Sequence, residues 1–107
     1  MPVLHITEEN FNSEVMNSEL PVLVVFWAEW CAPCRMFSPV IEEVISGLEG
    51  KMKIGKVNID ESPELAERFG VSTIPTLILF RDVEVVNRWT GAMSKEELLE
   101  KLSRKLL

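Results

Sequence analysis

The stretch Val22-Leu23-Val24-Val25-Phe26-Trp27-Ala28-Glu29-Trp30-Cys31-Ala32-Pro33-Cys34-Arg35 decides how the rest of the chain reads. Its first half, Val22 to Ala28, is a continuous apolar run without polar alternation. That pattern predicts a strand buried on both faces, as parallel strands are. Beyond it, Phe37, Val40, Ile41, Val44, Ile45 and Leu48 recur three and four apart, the apolar stripe of a helix. The chain's only two cysteines therefore lie where a buried strand ends and a helix begins. Unpaired N–H groups at a helix start carry roughly half a positive charge. A thiolate at Cys31 is accordingly expected to form more readily than on a free cysteine. Cys34 lies one turn on and shares the face, within reach of Cys31, and Pro33 suits the first turn, where a missing N–H costs little. The spacing fits a dithiol that opens and closes repeatedly better than a permanent staple.

Length and composition narrow the field. A chain of 107 residues has room for one domain spanning 1–107 and one core. Hydrophobic residues make up 47% and charged residues 26%, ordinary for a soluble globular protein. The net charge of −6 argues against nucleic-acid backbones or anionic membranes as partners. Met1-Pro2-Val3-Leu4-His5 has neither a basic start nor a long apolar run, and the apolar stretch from Leu20 to Ala28 is too short to span a bilayer. One close cysteine pair without an export signal suggests a reducing compartment, hence the cytoplasm.

Working outward, Val3 to Ile6 predicts a short first strand, followed by a helix capped by Thr7 with Phe11 and Val15 inward. The helix after the cysteines is expected over Cys34 to Leu48, kinked by Pro39 inside it. Met52, Ile54 and Lys56-Val57-Asn58-Ile59-Asp60 give a third strand. Ser62-Pro63-Glu64 reads as N-cap, N1 and N2 of a short helix that stops at Gly70. Thr76 to Phe80 and Glu84 to Trp89 predict a hairpin around Arg81-Asp82-Val83, although no Gly or Asn supplies the positive φ such turns favour. Ser94-Lys95-Glu96-Glu97 is a capping box opening a last helix with Leu98, Leu99, Leu102 and Leu106 along one side. The order βαβαβαββα implies an α/β fold with helices on both faces of a mixed sheet.

Phe26-Trp27-Ala28-Glu29-Trp30-Cys31-Ala32-Pro33-Cys34 resembles the active-site signature of the thioredoxin family. So do Lys56-Val57-Asn58-Ile59-Asp60, Ile74-Pro75-Thr76 and Gly91-Ala92, in the right order and spacing over essentially the whole chain. The resemblance implies a thioredoxin fold, a five-stranded mixed β-sheet flanked by four α-helices. It also implies a protein disulfide reductant that carries electrons from a thioredoxin reductase to disulfide-containing target proteins. In that reading Cys31 is an exposed nucleophile and Cys34 the buried resolving thiol. The Ile74-Pro75 bond is cis, and Trp30, Ala32, Pro33, Ile74, Pro75, Gly91 and Ala92 form the substrate-binding rim. The working group is the Cys31–Cys34 disulfide itself, with no further cofactor and no metal, in a monomer. A closed zinc site needs four ligands, and beyond the pair the chain offers only His5. With Ala32-Pro33 and no histidine between the cysteines, the resemblance implies a reductant nearer the family's reference potential of about −270 mV than the about −180 mV of protein disulfide isomerase.

Four positions depart from the family pattern. Val25 stands where the family carries a buried aspartate that handles the proton of the resolving cysteine, assisted by the lysine matching Lys56. The expectation is slower deprotonation of Cys34, through water or a group such as Glu29, with Lys56 reduced to a solvated strand-end residue. Ala32, Thr73 and Val83 stand where glycine is common. The alternatives this leaves are a disulfide oxidase or isomerase, and a redox-inactive interaction module on the same fold.

Overall fold

The computed structural model describes residues 2–106. Strands β1 (Leu4–His5), β2 (Val22–Trp27), β3 (Lys53–Asn58), β4 (Thr76–Arg81) and β5 (Glu84–Thr90) form one mixed sheet in the order β1-β3-β2-β4-β5. β1 and β2 pair with β3 in parallel, whereas β4 pairs antiparallel with both β2 and β5. The apolar run over 22–27 occupies the centre, as its lack of alternation predicts.

Alternation along β2 sorts the core into two layers. Leu23 and Val25 point to one face, where Phe37, Ile41, Val44 and Ile45 of α1 (Ala32–Ser46) meet Leu98 and Leu102 of α3 (Lys95–Leu106). Val22, Val24 and Phe26 point to the other, under Phe11 and Val15 and under Leu65 and Ala66 of α2 (Pro63–Arg68). There Phe69 stacks between Phe11 and Phe80, with both centroids 5.4 Å away. Gly55 lies where β3 passes under Ile6, and a Cβ there would stand 2.5 Å from Ile6 Cγ1. No described helix is long and apolar enough to cross a membrane.

Several local expectations are corrected. The first helix, Asn12–Met16, is π-wound, so three of the four helices are α-helical. Thr7 does not cap it. The Thr7 N–H donates to Asn10 Oδ1 (2.8 Å) while Asn10 Nδ2 donates to the His5 carbonyl (2.9 Å), an asparagine turn that takes over the chain entry. β3 ends at Asn58 rather than Asp60 because Asn58 Oδ1 accepts the N–H of Asp60 (2.9 Å) and of Glu61 (3.3 Å) and turns the chain. Ser62 holds the N-cap position of α2, but its buried hydroxyl makes no capping bond. The hairpin closes through Asp82 (φ 52°) and Val83 (φ 64°), both left-handed although neither is glycine. The capping box is formed: Glu97 N–H donates to Ser94 Oγ (3.1 Å), and Ser94 N–H reaches back to Glu97 Oε1 (3.4 Å).

Candidate redox site

The site forms where β2 gives way to α1. Past Trp27 the chain buries Ala28 and turns, with Cys31 N–H donating to the Ala28 carbonyl (3.2 Å). Cys31 is extended (φ −91°, ψ 106°) and caps α1, which begins at Ala32, earlier than the periodicity places it. The N–H of Cys34 donates to Cys31 Sγ at 3.2 Å. An orphan donor of the first helical turn is therefore aimed at that sulfur, the contact that favours negative charge on it. Arg35 folds back and donates from Nη1 to the Glu29 carbonyl (2.6 Å), tying the loop to the helix.

The two cysteines are joined as a disulfide with Cα atoms 5.3 Å apart. Across from them Ile74-Pro75 is cis, as the resemblance implies, and the Ile74 carbonyl lies 3.9 Å from Cys31 Sγ. The loop is held by Gly91 N–H donating to the Pro75 carbonyl (2.8 Å) and by the Thr76 hydroxyl donating to the Thr73 carbonyl. Trp30 is 66% exposed, and its Nε1 donates to Asp60 Oδ2 (2.8 Å). Ala32, Pro33 and Ala92 are exposed, and Ile74 and Gly91 are half-buried.

Three sequence expectations change here. The exposed-nucleophile, buried-partner asymmetry is absent in the disulfide form: Cys31 is 5% and Cys34 4% exposed. Trp27, Ile59 and Ile74 pack against the cluster that the pair forms with Ala28. Pro75 is buried, so its neighbours Ile74 and Gly91 present the surface at that edge. Lys56 is not a solvated strand-end residue. It lies within β3, half-buried, donating to Ser38 Oγ (2.9 Å), with Nζ 4.5 Å from the Trp27 ring centroid. Burial pushes its amine below the usual lysine range, while the Glu42 carboxylate draws it back up.

Val25, 2% exposed, is directly opposite Lys56 on β2 and belongs to the aliphatic layer under α1. Glu29 is exposed beyond the loop. The sequence reading missed Asp60 as the anchor of Trp30, Met36 as a 78% exposed apolar residue beside the pair, and Ser38 as the partner of Lys56. Ser38 carried a usable signal: a hydroxyl four residues beyond Cys34 on the same helical face. Among the described residues no group of three His, Cys, Asp or Glu side chains could hold a metal ion.

A helix N-cap cysteine bonded to the cysteine one turn on, beside a cis-proline loop, defines a site for dithiol–disulfide exchange. The thioredoxin family model matches residues 2–104. A thioredoxin of Rickettsia bellii is 48% identical over 90% of this chain and 91% of its own. Thioredoxin 1 of a Nostoc species is 45% identical over 94% of each, and a thioredoxin of Pyropia yezoensis is 43% identical over 97% of each. The chain belongs to the thioredoxin family. With the Cys31–Cys34 pair formed, it is a protein-disulfide oxidoreductase acting as a disulfide reductant.

Proposed function

We propose that Cys31 is the attacking cysteine and Cys34 the resolving one, in a monomeric cytoplasmic electron carrier recharged by a thioredoxin reductase. The observation that carries the assignment is the Cys34 N–H aimed at Cys31 Sγ. In the reduced protein that donor and the α1 terminus stabilise a thiolate on Cys31. The thiolate attacks a target disulfide, forms a mixed disulfide and releases one target thiolate. Cys34 then attacks Cys31 Sγ, re-forms the intramolecular bond and releases the second. Both electrons come from the dithiol, so the Cys31–Cys34 pair is the only redox group the cycle requires. The half-buried Ile74 and exposed Trp30 are the apolar surface against which an extended target segment lies, with Ala32, Pro33, Gly91 and Ala92 completing the rim.

The test is reduction of insulin disulfides with dithiothreitol as electron donor. Cys31→Ser is expected to abolish activity, and Cys34→Ser to trap targets on Cys31. Equal activity in wild type and Cys31→Ser would leave the chain as an interaction module. A potential near that of protein disulfide isomerase would make it an oxidase or isomerase.

A further inference from the structure

A cavity of about 370 Å³ opens at the pole of the sheet opposite the cysteines. Pro21 precedes β2 and Arg81 ends β4, which runs antiparallel to β2, so both stand where β2 begins rather than where it delivers the cysteines. Leu48 and Lys51 follow the end of α1, a helix of 15 residues and about 22 Å whose start holds the pair. α3 supplies the remaining wall. Its Leu98 and Leu102 are buried in the layer under α1, whereas Leu99 and Leu106 stay half-buried and line the cavity beside Leu102. The size falls within the range of small-molecule sites, roughly 300–1,000 Å³. The charge is one-sided. Lys51 and Arg81 are the only charged lining residues, both exposed, on a chain of net charge −6, and no carboxylate lines the cavity. Among the described residues neither of the two side chains forms an ion pair or a hydrogen bond.

We propose that this cavity binds a free aliphatic carboxylate of medium chain length, with its hydrocarbon tail against the leucines of α3 and Leu48 and its carboxylate held by Arg81 and Lys51. A guanidinium offers a carboxylate two parallel N–H donors, and a lysine adds a point charge. The walls are mainly aliphatic, so a hydrocarbon tail is buried there without loss, whereas an amide-bearing one would leave polar groups unpartnered. The net charge of −6 and the carbonyl ends of α1 and α3 at this pole both oppose an anion, so affinity should depend on the two cations. The site is separate from the disulfide chemistry and does not rest on the roles assigned to the two cysteines.

The test is titration of the full chain, in its disulfide form, with sodium decanoate below its micelle concentration, followed by NMR of the backbone amides. Saturable shifts are expected in the segment 46–51, in α3 and at Arg81, with a dissociation constant in the low-millimolar range or tighter, ordinary for so small a ligand. Octanoate, shorter by two CH₂ groups, should bind about tenfold more weakly. Octylammonium has the octanoate tail with the opposite charge and should bind at least about tenfold more weakly again. The double variant Lys51→Gln/Arg81→Gln should lose about fivefold to tenfold in decanoate affinity. Both side chains are exposed, so that variant should keep the fold and the wild-type rate of insulin reduction. Equal affinities for octanoate and octylammonium would overturn the proposal, as would undiminished decanoate binding in the double variant. Shifts centred on Trp30 and Ile74 would place the tail on the redox rim and overturn it too. A response only above the micelle concentration, or only to vesicles containing phosphatidylglycerol, would make the patch a membrane contact instead, and no saturable shift in the millimolar range would leave it an empty crevice.

Discussion

Replacing Val25 by aspartate places a carboxyl group in the apolar layer under α1, and the cost can be followed with pH. Val25 is 2% exposed, in a layer with Leu23, Phe37, Ile41, Ile54 and Leu77. Loss of its burial costs about 2 kcal/mol at any pH. The carboxyl adds a second, pH-dependent cost. Burial disfavours the carboxylate and raises its folded-state pKa, while Lys56, opposite on β3, limits the rise. A net rise of about one to two units above the ordinary value of about 3.9 corresponds to about 1.4–2.7 kcal/mol. The sign follows from linkage. The folded state binds the proton more tightly than the unfolded state, so this second cost is absent below about pH 3.9. It grows as pH rises to the folded-state pKa and is constant above it. The expectation is a Val25→Asp protein destabilised by about 2 kcal/mol at pH 3.5 and by about 3.5–4.5 kcal/mol at pH 7. Urea unfolding of both proteins at several pH values measures the gap. A gap that stays constant or narrows toward neutrality would refute the reasoning, because it would mean the carboxylate is satisfied as an ion at that position.

Three further outcomes concern stability alone. Val83→Gly should stabilise the protein by about 1 kcal/mol, seen as a rise of roughly 4–8 °C in Tm, because a left-handed valine costs about 1–2 kcal/mol and the added unfolded-state entropy of glycine offsets only part of that. Gly55→Ala should destabilise by about 1–3 kcal/mol in urea unfolding, since the new Cβ meets a fully buried Ile6 side chain. Ser94→Ala should cost about 1 kcal/mol by removing the acceptor for the Glu97 N–H, with Ser94→Asp recovering most of it.

What could be read in advance depended on whether local pattern or tertiary contact decides the outcome. The β2 run and the α1 stripe fix their own elements because burying that much apolar surface leaves few alternatives, and Ser94-x-x-Glu97 satisfies its helix start within four residues. The turns at Asn10 and Asn58 depend on side-chain amides competing with the regular backbone ladder, and apolar periodicity does not register that competition. The hairpin is legible as a connection but not in its geometry. Strand pairing from β2 through β4 to β5 imposes a turn that Asp82 and Val83 would not choose alone. At the site, the cysteines and the cis-proline loop were readable from motif, whereas the equal burial of the two sulfurs was not. It arises from Trp27, Ile59 and Ile74 closing around a bond that the sequence does not display. The Ser38–Lys56 contact joins a helix to a strand and needs both in place.

That contact depends on the residue that faces the lysine across the strand pair. In a parallel pair the side chains of directly opposed residues lie on the same face, so whatever stands at position 25 lies beside Lys56 and under α1. An acid there would face the lysine directly across the strand pair. Valine offers no charge and contributes burial to the core. The lysine donates instead to Ser38 on α1, a single turn from Cys34. The aliphatic side chain thus tightens the layer, and the carboxylate that acts on the lysine is Glu42, supplied by α1 across a cleft that the two line rather than by β2.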